Sequence, residues 1–481
     1  MLHDERNSGT AILNSGEPSV QHTAPAAGLP TDATNAVDRT GSGWNGLGPG
    51  RANYILGLLT FSYCMAYIDR QLLNLLVEPI KRTLLVTDTQ FSLIQGTAFV
   101  TAYIAAAPLF GRLVDVASRR NILIFGVCAW SVFTSLSGMC SSYGELFFAR
   151  MGVGLTEACV FPVAWSMIGD CFSPRRQPRA LSVFMLGPQL GGGFSLIAGS
   201  VIIAFAGSLT GRLPSLSGLQ PWQMAFVLTG IPGIIFALLL LTIKEPPRTR
   251  NPLSEADERK LTMREVGQGF WRNRPLYWRM YLATGTVGMV QLAIPSWFPA
   301  FMIRTHGLTA SETGLQLGMI SAIIGPISTL SGPFVAEWLR KRGYPDASLR
   351  AAACCTIPMF LFSFLIPILA TPAAALAAAG GVIFCCGFPV GLMAAATQLA
   401  TPSRMRGVVA SVYTFAAQFI GYMIGPTLVA LLTDLFFGDV RMVGYSMQIV
   451  MSCASFVAGF CLFTARKHFC NIIARDAEAG S

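Results

Sequence analysis

The chain has 481 residues, of which 53% are hydrophobic and 12% charged, and its formal net charge is +10. A soluble domain carries about 25% charged residues, so this balance excludes an ordinary globular enzyme and points to a polytopic membrane protein. The positive charge does not indicate nucleic acid, because the Lys and Arg residues sit in the gaps between apolar runs and form no patch.

Residues 1–50 are rich in Gly, Ser, Thr, Asn, Pro and Ala and lack a basic stretch followed by an apolar core. They read as a disordered tail rather than a signal peptide. Twelve apolar spans follow, at 54–77, 88–113, 120–140, 143–170, 178–206, 222–243, 276–303, 310–338, 348–370, 373–399, 406–435 and 442–465. Each is long enough to cross about 30 Å of hydrocarbon as a helix. They group as a six-helix half at 51–243, a charged linker at 244–275, a second half at 276–467 and a short tail at 468–481. Basic residues crowd the gaps after spans 2, 4, 6, 8 and 10, and are sparse in the others. By the positive-inside rule, both termini and the linker are cytoplasmic and the protein lies in the cytoplasmic membrane. The twelve cysteines read as small apolar side chains inside the spans, and nothing calls for a cofactor or metal.

The two halves resemble each other. "TDTQFSLIQG" (87–96) and "TASETGLQLG" (309–318) both open with a capping box and reach a Gly nine residues after the Thr, at an offset of 222. "GRLVDVASRR" (111–120) parallels "GPFVAEWLRK" (332–341), and spans 4 and 10 both contain Phe-Pro-Val. Matching segments face the same side, so the repeat is parallel, as in major facilitator transporters.

Charges inside the spans carry the functional reading. A charge at the bilayer centre costs about 2.5–3.5 kcal/mol on insertion scales and marks a functional site by default. Span 1 holds Asp69 and Arg70, and span 4 holds Arg150 and Glu157. The adjacent pair points about 100° apart, and the span 4 pair shares a face about 10 Å apart. The four are expected to form one balanced cluster, with Glu157 and Asp69 handling protons. Arg150 then partners Glu157 or anchors a substrate anion, and Arg70 either joins the cluster or snorkels at a helix end. Gln189, Gln291, Gln398 and Gln418 are candidates for a cavity wall, and Trp297 for an outer gate or substrate contact. "GPQLGGGFSLIAG" (187–199) reads as close helix packing rather than a phosphate loop.

"GRLVDVASRR" resembles the loop 2–3 signature of the major facilitator superfamily, with Gly111, Asp115, Arg119 and Arg120 in place and Val116 where a basic residue is usual. The resemblance implies a network that latches the halves on the cytoplasmic side. "YIDR", "SLIQG", "AAPLFGRLVD", "WSVFTSLSG", "ARMGVGLTEA" and "IGDCFSPRRQPRALSVF" resemble Spinster-like transporters. That resemblance implies an all-α major facilitator fold in which Asp69, Arg150 and Glu157 serve proton coupling and head-group contact. Animal members carry sphingosine phosphate and lysophospholipids. "YIDR" also occurs in organic anion symporters.

The expectation is a monomeric, proton-coupled carrier that moves an amphiphilic, lysolipid-like anion by alternating access, among membrane lipids and without nucleic acid. A proton symporter for sugar acids or aromatic acids remains open, as does a receptor or scaffold without turnover.

Overall fold

The structure, a computed structural model, describes residues 48–173, 176–212, 219–248, 263–402 and 405–480. Most of the N-terminal tail and the middle of the linker lie outside the described residues. Every described element is helical. Eleven helical segments are long and apolar enough to cross a membrane. Span 1 makes the twelfth, broken into Pro49–Met65, Ile68–Leu75 and Val77–Leu84. The face that carries the connection between spans 6 and 7 is the linker face, and the opposite one is the far face.

Local sequence sets the helix ends. Thr87–Gln90, Ser142–Glu145 and Thr309–Glu312 all form capping boxes, which satisfy otherwise unpaired backbone N–H groups at the exposed starts of these helices. Gly307, at φ 71°, ends span 7 (Arg274–His306) and leaves Arg304 in its last turn.

Several spans depart from regular α-helix at the same depth. Span 1 breaks at Ala66 and Tyr67, just before Asp69. Span 4 runs as Tyr143–Glu157 and Val160–Cys171, with the break directly after Glu157. Span 2 begins Asp88–Ser92, widens to a π-helix over Leu93–Ala98 and continues as Phe99–Val116. Span 11, from Arg406–Ala416 onward, is π-helical over Ala417–Ile424. Such irregularities gather at functional sites.

The first six and last six spans meet along two seams built on the repeated glycine. A Cβ on Gly96 of span 2 would lie 2.5 Å from the backbone oxygen of Tyr422 in span 11. A Cβ on Gly318 of span 8 (Ala310–Lys341) would lie 2.9 Å from the Gly193 oxygen in span 5 (Gln177–Arg212). Both seams therefore need a bare backbone. The glycine-rich run of span 5 serves this packing, with Gly187 and Gly191 against span 1.

Two helices extend past the expected bounds. Met263–Arg272 forms a short helix on the linker face. The last helix runs from Val443 to Gly480, so the expected tail from 468 onward continues span 12.

Candidate functional site

The four charges of spans 1 and 4 meet in crossed pairs. Arg150 Nη1 donates to Asp69 Oδ2 at 2.9 Å. Arg70 is bonded through Nη2 to Glu157 Oε1, and through Nε to Oε2 at 3.3 Å. Asp69, Arg70, Arg150 and Glu157 are 4%, 9%, 1% and 2% exposed, so the pairing replaces their lost hydration. Arg150 does not pair with Glu157, because two helical turns hold them apart and span 1 offers each a nearer partner. Arg70 does not snorkel, since both its burial and its partner lie inside the bundle.

Arg70 is also boxed by rings. Its guanidinium carbon lies 4.1 Å from the Phe99 centroid, 4.9 Å from that of Tyr67 and 5.7 Å from that of Tyr422. Cation–π contact favours a charge held there. Tyr422 belongs to span 11, so this cation touches both sets of six spans.

A chamber of about 20 Å³ adjoins the pairs, lined by Arg70, Arg150, Gln71, Asn74, Gln95 and Tyr422 among others. It has room for a single water. Asn74 donates to Gln71 at 2.7 Å and accepts from Gln95. Arg150 Nε and Gln95 Oε1 are buried without a hydrogen-bond partner among the described residues. Gln71 and Tyr422 also line a larger cavity of about 220 Å³ between the first and last six spans. Gln189, Gln291 and Gln418 stand on its wall, with Ser321 beside them, while Leu196, Leu317, Val382 and Ile383 supply apolar surface.

Gln398 and Trp297, also named above, do not line this cavity. Gln398 is exposed near the linker end of span 10 (Pro372–Leu399), about 16 Å along the helix from the wall residue Gly387. Trp297 is 0% exposed, donates Nε1 to the Pro426 oxygen at 2.9 Å and meets Phe91 edge-on. It packs the closure beyond the cavity instead of lining it.

On the linker face, the expected latch between halves is absent among the described residues. Arg119 is 1% exposed and binds Glu245 at 3.0 Å, Ser166 at 3.2 Å, the Pro246 oxygen at 2.7 Å and Asp170. All of these belong to the first six spans or the chain just after them. Ser118 donates to Glu245, and Arg120 reaches the Ile243 oxygen at 3.4 Å. Burial pushes the Glu245 carboxyl up, but the hydrogen bonds from Ser118 and Arg119 outweigh it and hold Glu245 below the ordinary carboxylate value. Asp115 is exposed and makes no ion pair among the described residues, and a Cβ on Gly111 would meet open space.

Among the described residues, the ion pairs between the two sets of spans lie on the far face, at residues near the ends of spans 1, 2 and 7. Arg304 binds Glu78 at 2.6 Å, both oxygens of Asp88 at 2.7 Å and the Val440 oxygen at 3.1 Å. Asp88 is 0% exposed and also binds Lys81. Thr89 donates its backbone N–H at 2.6 Å and its hydroxyl at 2.7 Å to Asp434 Oδ2. Among the described residues, the far face is closed by charge and the linker face is not.

Residues 59–426 match the Major Facilitator Superfamily. An MFS-type efflux pump of Mycolicibacterium smegmatis is 24% identical over 465 residues, covering 95% of this chain and 100% of its own. Human protein spinster homolog 1 is 27% identical over 317 residues, covering 61% of this chain and 56% of its own. A solved bacterial homolog of the human lysosomal transporter Spinster, inward-facing and unoccupied, superposes with a TM-score of 0.75 at 22% identity. That superposition covers 89% of this chain and 99% of the other.

Proposed function

The chain belongs to the Major Facilitator Superfamily and is a multi-pass membrane transporter; from that premise, we propose that it carries an amphiphilic organic anion by alternating access, coupled to protons. The observation that carries this reading is the buried Arg70–Glu157 pair beside the small chamber that shares Gln71 and Tyr422 with the larger cavity. Glu157 and an incoming anion compete for one guanidinium. When Glu157 takes a proton it releases Arg70, and the anion then neutralises Arg70 in its place. Charge inside the bundle stays balanced only if proton and anion enter together, which is the condition for coupling. Arg150 adds an uncommitted Nε donor next to the same chamber. The Leu317, Val382 and Ile383 side of the cavity suits an apolar tail.

A second reading is a carrier of small hydroxylated acids. Gln71, Gln189, Gln291 and Gln418 favour it, because a site built to hydrogen-bond hydroxyl groups rejects analogues that lack them. The cavity volume of about 220 Å³ also falls below the roughly 300–1,000 Å³ of pockets for larger ligands.

The test is a thermal-shift screen of the purified protein and of Arg150→Ala against lysophospholipids, sphingoid phosphates, sugar acids and aromatic acids. A ligand of the folded state raises Tm by mass action. Stabilisation by lysolipids that Arg150→Ala loses supports the amphiphile. Stabilisation by small carboxylates alone replaces it with the second reading. No shift with any anion, together with gradient-independent uptake, overturns both.

A further inference from the structure

Away from the central cavity, the linker face carries a pocket of about 440 Å³ between the start of span 7 and the extension of span 12. Its polar wall is Arg272, Asn273, His468, Asn471 and Arg475, and its apolar floor is Leu276 and Ile472. The two arginines are exposed, and among the described residues neither has a carboxylate partner. Arg475 Nε donates only to the Asn471 oxygen, at 3.3 Å.

The depth of this pocket follows from the side chains around it. Phe456, Phe460 and Phe463 form an outward stripe on span 12, at 67%, 59% and 66% exposure. In a membrane protein such a stripe faces lipid tails. It stops at Phe463, and Arg466 and Lys467 follow at once. At about 1.5 Å per residue, residues 468–475 then lie roughly 8–18 Å beyond the last lipid-facing ring, in or just past the head-group layer. Trp271 and Trp278, 71% and 46% exposed, mark the same level on span 7 and its preceding helix. Arg274 and Arg279 stack on their rings at 4.3 Å and 4.6 Å.

We propose that this pocket binds the head group of an anionic phospholipid, with Arg272 and Arg475 on the phosphate and the amides of Asn273 and Asn471 on its polar remainder. A basic pocket between helices at head-group depth matches that ligand in charge and in position.

Native mass spectrometry of the full-length protein in detergent tests this, with phosphatidylglycerol, phosphatidylcholine or inorganic phosphate added. Wild type is expected to retain phosphatidylglycerol in preference to phosphatidylcholine. Arg272→Gln/Arg475→Gln weakens that retention about thirtyfold, the effect of two basic residues near an anionic surface. Arg272→Lys/Arg475→Lys keeps most of it. Arg51→Gln, an exposed charge on the same face at the start of span 1, leaves it unchanged and monitors general surface attraction. The proposal fails if phosphatidylcholine binds equally, if Arg51→Gln loses as much as the double variant, or if inorganic phosphate displaces the lipid at equal concentration. The last result identifies a free-anion site instead. Both substituted arginines are exposed, so folding of the variants is expected, and an unchanged Tm in lipid-free detergent checks it.

Discussion

Glu157 closes on Arg70 at the point where the span 4 helix breaks, and Arg70 in turn faces Tyr422 across the divide between the two sets of spans. A change of charge on Glu157 is therefore felt by the opposite set of helices through one side chain. Glu157→Gln removes the charge and keeps the shape. It is expected to abolish acceleration of uptake by a pH gradient while ligand-induced Tm shifts and exchange without a gradient persist. Gradient-driven uptake by the variant in liposomes would refute the proton role.

The crossed pairing makes a second, energetic prediction. Double-mutant cycles on Asp69/Arg150 and on Arg70/Glu157 should each give coupling within about 0.5–3 kcal/mol, as contacting pairs do. The cycle on Arg150/Glu157 should give less than either. Denaturation of the purified variants measures all three, and an Arg150/Glu157 coupling that dominates would contradict the geometry.

How far this arrangement was legible beforehand depends on the residue. Asp69, Arg70, Arg150 and Glu157 stand out as charges in apolar runs, and the glycine at a 222-residue offset is visible as a repeat. The partners are not visible, because pairing depends on how spans 1 and 4 face each other and on breaks at Ala66–Tyr67 and Ala158–Cys159. Gln398 reads like Gln418 because an amide in an apolar helix carries no mark of the face it occupies. Arg304, Glu78 and Asp88 escape notice for another reason. A charge at the end of a span looks the same whether it faces water or closes a gate.

That gate supplies a third prediction. Arg304→Gln leaves Asp88 buried with Lys81 alone. Lys81 still compensates Asp88, but the ion pairs of Arg304 with Asp88 and Glu78 that cross the divide are lost, and that loss falls on the far-closed arrangement. A cysteine placed at the cavity residue Ser321, with the exposed Cys354 and Cys453 replaced by Ser, should react more than tenfold faster with a membrane-impermeant maleimide applied at the far face. An unchanged rate would mean that Arg304 does not hold the closure.

The linker-face network yields a pH prediction. Glu245 is held below its ordinary carboxylate value of 4.5. Its contribution is therefore complete above that value and is lost as pH falls through the lower folded-state value. Protease cleavage in the chain after Glu245 should stay constant from neutral pH down to about 4.5 and rise only below it. Glu245→Gln should show the raised cleavage already at neutral pH. A rise between pH 7 and 5 in wild type would assign the effect to another group.

Gly96 and Gly318 have a mechanical consequence. Where they lie, the opposite backbone comes close, at Tyr422 and at Gly193 beside Ile197, with no side chain of the glycine's own to interlock. A smooth contact of this kind can roll or slide without first unpicking knobs from holes. The far-face ions hold by adhesion, and they must let go together because Arg304 serves several partners at once. On the alternating-access reading proposed above, the molecule would separate its bearing from its catch: the repeated glycines would carry the motion, and the cluster at the rim would decide when it starts.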